Sequence, residues 1–245
     1  MGKSYNQDFY EKMYAEGRVW KGPRGILGNL FRLLQRFELH RVSAAVSLLT
    51  PGDKILDIGC GNGGLISLAK SKNLFTSYYG VDLVNVVIDR AKKTVKEQTG
   101  DNKNCYFKQA NLDDELPYKN DFFNTVTSVA VLEHIFDPYF GIREINRVLA
   151  KKGELILEVP NLVWLPRRFS VFIGTLPVTA EEEGWDGGHL HYFTRGATTK
   201  LLEENGFQIE YIGCTGIFSP VLNLWPSLLG GNIMIKAIKV KNANK

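Results

Sequence analysis

Cysteine is scarce in this chain: Cys60, Cys105 and Cys214 are the only three in 245 residues, far apart and without C-x-x-C spacing. Neither a disulfide framework nor a cysteine-built zinc site fits that pattern, and a reducing, cytoplasmic setting is the expectation. No apolar run approaches the roughly 20 residues of a membrane-spanning helix. The opening "MGKSYNQDFY" lacks the apolar stretch of a signal peptide. Gly2 makes no myristoylation motif, because Asn6 stands where Ser or Thr is needed. Excess charge is small as well: the net value is +4, with basic residues scattered along the chain. That gives no basis for a nucleic-acid partner. Internal repeats and low-complexity tracts are missing. What is present, 44% hydrophobic and 23% charged residues, is enough to bury a sizeable core.

Gly22-Pro23 breaks a polar, aromatic start, and the apolar spacing from Ile26 to Leu49 then reads as a helix. After the turn signal "TPGD", strand and helix patterns alternate. "KILDIG", "SYYGVDL", "NCYFKQA", "FFNTVTSVAV" and "GELILEVP" read as strands. Leu65 to Lys70, Val84 to Gln98 and Tyr139 to Leu149 read as helices. Such alternation implies βαβ units and a parallel sheet with its ligand site beyond the carboxyl ends of the strands. The pattern lapses from Asn161 to Tyr192 and resumes with a helix capped by Thr194 and stopped at Asn205-Gly206. "FQIEYIGC" and "NIMIKAIKV" follow as strands. Their connection is too short and Pro-broken for a full crossover helix, so the final pair is expected to be antiparallel.

The stretch "ILDIGCGNGG" satisfies G-x-G-x-x-G through Gly59, Gly61 and Gly64. Alone, that pattern does not separate a dinucleotide from other cofactors, and Asp82 supplies the acid a ribose needs. Asp57 is more informative. A carboxylate about 5 Å from a pyrophosphate charge costs about 3 kcal/mol at an effective dielectric near 20, over a hundredfold in affinity. Beside a cation it helps by a similar amount. S-adenosylmethionine carries an ammonium and a sulfonium and no phosphate, so the loop's charge favours it. A carboxylate turned aside to cap the helix N-terminus is the competing reading of Asp57.

From about Asp53 to Tyr211 the chain resembles the class I S-adenosylmethionine-dependent methyltransferases. "ILDIGCGNG" and "GVDL" resemble their first two motifs. "QANLDDELPY", "NDFFNTVTSVAVLEHIFDP" and "REINRVLAKKGELILEVPN" resemble the later three. The resemblance implies a Rossmann-like α/β fold, a mostly parallel seven-stranded sheet with helices on both faces and the last strand antiparallel. Residues 1–50 would form a helical cap or lid. Residues 51–245 would form the cofactor-binding domain, with a lid-like insertion at about 161–193. Gly59 and Gly61 would let the backbone approach the methionine moiety, with Asp57 near its ammonium. Asp82 would accept the ribose hydroxyls and Leu83 would lie on the adenine. Asn111 and Leu112 would stand at the adenine edge, Asn111 departing from the usual aspartate. Ala130 would contact the sulfonium region. In "YEKMYAEG", Tyr14 is the candidate to close over the cofactor's carboxylate, against the plainer reading of core packing.

Methyl transfer to a hydroxyl needs alignment of donor and acceptor and a base. His189, in "GWDGGHLHYFT", is the chosen candidate, with Asp186 as orienting partner. His191 shares its segment, and two other readings compete for the pair, a purely structural role and, last in order, metal binding. Ubiquinone-type O-methyltransferases carry E-x-x-E-H in a segment similar to "VLEHIFDP" and hold a divalent metal there. Here Ala130 replaces the first acid, so only Glu133 and His134 remain. Two ligands make a poor site, no metal is expected, and the pair reads as a hydrogen-bonded shell ordering the loop. "NLVWLPRRFSVFIGTLP" and "IFSPVLNLWPSLLG" are apolar with embedded arginine or tryptophan. They read as a packed lid or as a greasy entrance for a small-molecule, lipid-linked or glycan-linked acceptor. A peripheral membrane-surface contact is a further reading of the amino-terminal helix, and the oligomeric state is unread. Two competing functions are an NAD(P)-binding oxidoreductase or nucleotide-sugar enzyme, and a non-catalytic protein on a methyltransferase fold. The first needs a second catalytic domain or Tyr-x-x-x-Lys, and Tyr139 has Arg143 at the lysine position.

Overall fold

The computed structural model describes residues 7, 11, 12, 38–174, 189–217 and 223–243 of the chain. Eight strands form one sheet: β1 (Glu38–Leu39), β2 (Gly52–Ile58), β3 (Phe75–Asp82), β4 (Cys105–Gln109), β5 (Phe123–Val129), β6 (Leu149–Pro160), β7 (Phe207–Ile217) and β8 (Asn232–Lys239). Their order is β1-β7-β8-β6-β5-β2-β3-β4. The pairs among β2 to β6 are parallel, while β8 runs antiparallel to both β6 and β7. Without the two-residue β1, this is the seven-stranded sheet with an antiparallel last strand that the motifs implied.

Alternation along the strands divides the core between the two faces. Ile55 joins Ala45, Leu65, Ile66, Ala91 and Val95 on the side of α1 (Arg41–Ser47), α2 (Gly64–Ser71) and α3 (Asn85–Thr99). Leu56 and Ile58 join Ile142, Ile145, Leu201 and Leu202 on the side of α4 (Pro138–Val148) and α6 (Arg195–Glu204). Covered on both faces, the central strands are near-continuous in burial, as in Ile55, Leu56, Asp57 and Ile58. The Thr194 cap is the one the sequence indicates; a second, at Asp137, is seen only in the structure. The Thr194 hydroxyl accepts from Ala197 N at 3.2 Å, and Asp137 caps α4 through Tyr139 N and Phe140 N.

Two expectations need correction. The helix read from Ile26 to Leu49 does not run through its described part: residues 26–37 lie outside the described residues, Glu38–Leu39 is extended and pairs with Ile217 and Gly216, and α1 spans Arg41–Ser47. β7 outruns its pairing with β8, which ends at Thr215, and the exposed backbone is taken up by β1. Apolar spacing cannot report such an edge. β6 likewise starts at Leu149 rather than Gly153, because Leu149 pairs with Phe123 before a register shift. Lys152 at φ 62 lies in this irregular stretch.

At the sheet end away from the βα turns, Lys239 is buried and donates to Asp121 Oδ1, Asn146 O and Leu149 O at 2.7–2.8 Å. Asn161, directly after β6, is fully buried. Its side chain donates to the carbonyls of Ser227 and Gly230, and it bridges Phe193. Leu162 N donates to Phe193 O at 2.9 Å, so the insertion after β6 leaves and rejoins the fold at one point. Within it, α5 (Leu165–Phe172) contributes no buried residue. A short α7 (Pro226–Leu229) lies between β7 and β8. No described helix is long and apolar enough to cross a membrane.

Candidate active site

β2 delivers the chain into a turn with Gly59 at φ 66 and Gly61 at φ 50. A side chain at Gly59 would collide with Val131, so glycine is required there by space as well as by φ. Gly64, the third glycine of the fingerprint, meets no such demand: nothing lies near its missing Cβ. Asp82 ends β3 and ties the turn down. Its Oδ2 accepts from Gly61 N at 3.0 Å and its Oδ1 from Val84 N at 3.1 Å. Each oxygen keeps an acceptor position beyond these bonds. Burial lifts the carboxyl above its ordinary range, while the N–H groups of Val84, Gly61 and Leu83 oppose the rise.

These turns enclose a cleft with a cavity volume of about 170 Å³. Seven of the expected residues line it: Gly59, Gly61, Asp82, Leu83, Asn111, Leu112 and Ala130. Sequence reasoning left out the apolar wall of Ile58, Val84, Val131 and Ile135, together with Asp113. Their signal was available, since each adjoins a strand end or a motif residue. Asp113 Oδ1 accepts from Phe136 N at 2.6 Å, linking the turn after β4 to the turn after β5. Asn111 Oδ1 accepts from Asp113 N at 3.1 Å and retains its second lone pair. Ala130 takes φ 56, a conformation costing a non-glycine residue roughly 1–2 kcal/mol.

Asp57 is absent from the cleft wall. It is 3% exposed and accepts from Thr127 Oγ1 at 2.7 Å, so it neither faces the ligand space directly nor caps α2. Burial raises its carboxyl to about 7, the Thr127 hydroxyl lowers it, and the charge of Asp82 raises it further. Tyr14 and Asp186 lie outside the described residues.

The turn after β5 continues into a single 3-10 turn, Leu132–His134. His134 lines the cleft. Glu133 points inward, is 1% exposed, and neither carboxylate oxygen has a hydrogen-bond partner. Burial raises it to about 8; its own backbone N–H opposes the rise, the nearby charge of Glu158 adds to it and the cation of Arg41 lowers it. The loop ordering expected of the Glu133 side chain is performed by its backbone. Glu133 O accepts from Leu190 N at 2.8 Å and His191 N at 3.1 Å, and His191 Nε2 lies 3.1 Å from Phe136 O. This docking carries His189 to His134, with ring centroids 4.7 Å apart. The ligand atoms of Glu133, His134 and His189 all lie within 4.8 Å of one another. The metal expectation rested on counting two donors; the fold supplies a third. His40, exposed at the start of α1, is not part of the cleft or the cluster.

A doubly covered sheet of this order, with an acid-and-glycine cleft at its carboxyl edge, defines a Rossmann-like methyltransferase fold. The methyltransferase domain family model matches residues 28–212, and the chain belongs to that family. It is similar to the tRNA U34 carboxymethyltransferase of Alteromonas mediterranea, 29% identical over 159 residues, covering 63% of this chain and 47% of that protein. It is also similar to the ubiquinone biosynthesis O-methyltransferase of Actinobacillus pleuropneumoniae, 28% identical over 158 residues, 63% of each. The matches thus span about half to two thirds of those relatives. Among solved structures, magnesium protoporphyrin IX methyltransferase of Synechocystis with bound SAH superposes with a TM-score of 0.64. It is 19% identical, over 97% of this chain and 95% of that one, and this likeness concerns the fold.

Proposed function

We propose that the chain transfers a methyl group from S-adenosylmethionine to an oxygen of a small-molecule or lipid- or glycan-linked acceptor. One observation carries this reading: among the described residues, those lining the cleft include Asp82 and Asp113 and no lysine or arginine. A pyrophosphate would meet only negative charge there, whereas a phosphate-free, cationic cofactor gains from it. Asp82 has acceptor positions for both ribose hydroxyls, Gly59 and Gly61 admit the methionine backbone, and Leu83, Asn111 and Leu112 suit the adenine. Ala130 suits the sulfonium side. Asp57 acts from beneath the glycine turn, through water, and Tyr14 closes over the carboxylate. When bound, S-adenosylmethionine supplies an electrophilic methyl group on its own leaving group.

The chain's residues then align the acceptor, exclude water and remove its proton. We assign the last task to the cluster around His189, whose neighbour His134 forms part of the cleft wall. An apolar acceptor is supported by α5 and its flank, where Phe169, Val171, Phe172 and Ile173 are all exposed. Arg167 and Arg168 in the same helix bond to the carbonyls of Asn161 and Val163. The oxidoreductase reading is disfavoured further, because Arg143, at the lysine position, is engaged with Asp137 at 3.8 Å.

Calorimetric titration with S-adenosylmethionine and with NADH tests the cofactor. Binding of the first alone is expected, and binding of NADH alone would reject the proposal. Methyl transfer from labelled cofactor into fractionated cell extract then identifies the acceptor, and the absence of any labelled product would leave a binding protein.

A further inference from the structure

We infer that Glu133, His134 and His189 form a binding site for one divalent transition-metal ion, zinc being the ion their donors suit best. The three side chains come from two segments held together by backbone bonds, Leu190 N and His191 N to Glu133 O. Nε2 of His134 and Nε2 of His189 stand 3.8 and 4.0 Å from the same oxygen, Glu133 Oε1. An N–H···O hydrogen bond spans about 2.7–3.2 Å, so neither separation is one. Two ligands about 2.1 Å from one zinc ion at a tetrahedral angle stand roughly 3.4 Å apart. Each carboxylate–imidazole pair closes by about half an ångström, and the two imidazoles, whose ligand atoms lie within 4.8 Å, turn toward each other by up to roughly 1.4 Å to reach that spacing.

A second observation points the same way. The Glu133 carboxylate is 1% exposed, and both of its oxygens lack hydrogen-bond partners. Burying a carboxylate without donors costs several kcal/mol, and a cation removes that cost. Two imidazoles and one carboxylate suit zinc and leave a fourth position open. Magnesium and calcium prefer oxygen donors and are poorly served by two imidazoles. The donor set belongs to this chain's own fold: Ala130 offers no ligand, and the third donor arrives from the segment before α6.

His134 also lines the cleft, so an ion held by it neighbours the acceptor oxygen and favours its deprotonated form, the proton leaving to water. That role rests on the proposed methyl transfer; ion binding does not.

The test is calorimetric titration of the chelator-stripped full chain with zinc chloride, joined to zinc K-edge absorption on the one-to-one complex. One equivalent should bind, with a nitrogen and oxygen shell showing imidazole scattering. Glu133→Gln and His189→Gln should each weaken uptake by more than about tenfold while S-adenosylmethionine affinity holds. No stoichiometric uptake, a sulfur shell, or unchanged affinity in both variants overturns the site. If a variant fails to fold, the wild-type absorption spectrum still decides. Zinc uptake by a chain that ignores S-adenosylmethionine rejects the proposed function alone, and the converse rejects the metal site alone.

Discussion

The cleft and the histidine cluster share one edge of the sheet, yet they are assembled in opposite ways. In the cleft, polar groups are satisfied by near neighbours: Asp82 accepts from Gly61 and Val84, and Asn111 from Asp113. In the cluster, a buried carboxylate has no hydrogen bond, and its nearest imidazoles come partly from a distant segment. A site with its polar groups satisfied is preorganised before any ligand arrives. A site whose buried carboxyl lacks hydrogen-bond partners leaves those positions open to a ligand. The first arrangement suits a cofactor common to every turnover, and the second suits chemistry that varies with the acceptor.

The largest effect that separates the two regions is His189→Ala. Turnover should fall by about 10²–10⁴-fold, the range for loss of a group handling the transferred proton, with S-adenosylmethionine affinity unchanged by calorimetry. Equal loss of cofactor affinity would merge the two regions into one. Next, Asp82→Ala should weaken S-adenosylmethionine by about 3 kcal/mol, since it removes charged hydrogen bonds and unties the turn; unchanged affinity would remove Asp82 from the ribose role.

A smaller effect concerns Asp57, whose folded carboxyl titrates near 7 against an ordinary 3.8 because it is buried. Between about pH 4 and pH 7 the folded chain holds a proton that the unfolded chain has released. Stability therefore falls as pH rises through that window, and the cost is complete above it. Asp57→Asn should flatten the slope, stabilising the protein more at pH 8 than at pH 5 in denaturant unfolding. An equal change at both pH values would assign the effect to something other than titration. The smallest is Ala130→Gly, which relieves a left-handed alanine and should raise stability by about 1 kcal/mol or less. The denaturation midpoint reads it, and a lowered midpoint would mean that the Ala130 methyl group contributes more than its strain costs.

The contrast also explains what could be read in advance. β2, the glycine turn and Asp82 are neighbours in sequence, so spacing and charge exposed them together. Thr194 and the stop at Asn205-Gly206 were equally local signals. Asp57 carried the right charge, but its direction depends on Thr127, a partner on β5 that no local pattern names. The break at Glu38–Leu39 depends on an unpaired stretch of β7, and the third donor of the cluster on two backbone bonds to Glu133. Each lies on the long-range side of the fold, where side chains meet only after the sheet has closed.

Asn161 fixes how this fold can diversify. It bridges Phe193, where the post-β6 insertion returns, and its side chain is anchored to the carbonyls of Ser227 and Gly230, so the chain leaves and re-enters the sheet at one buried junction. Doubling the length of such a loop costs only about 0.6 kcal/mol in closure entropy. A change of length between Leu162 and Phe193 therefore leaves the glycine turn and Asp82 where they are, because the two ends stay joined.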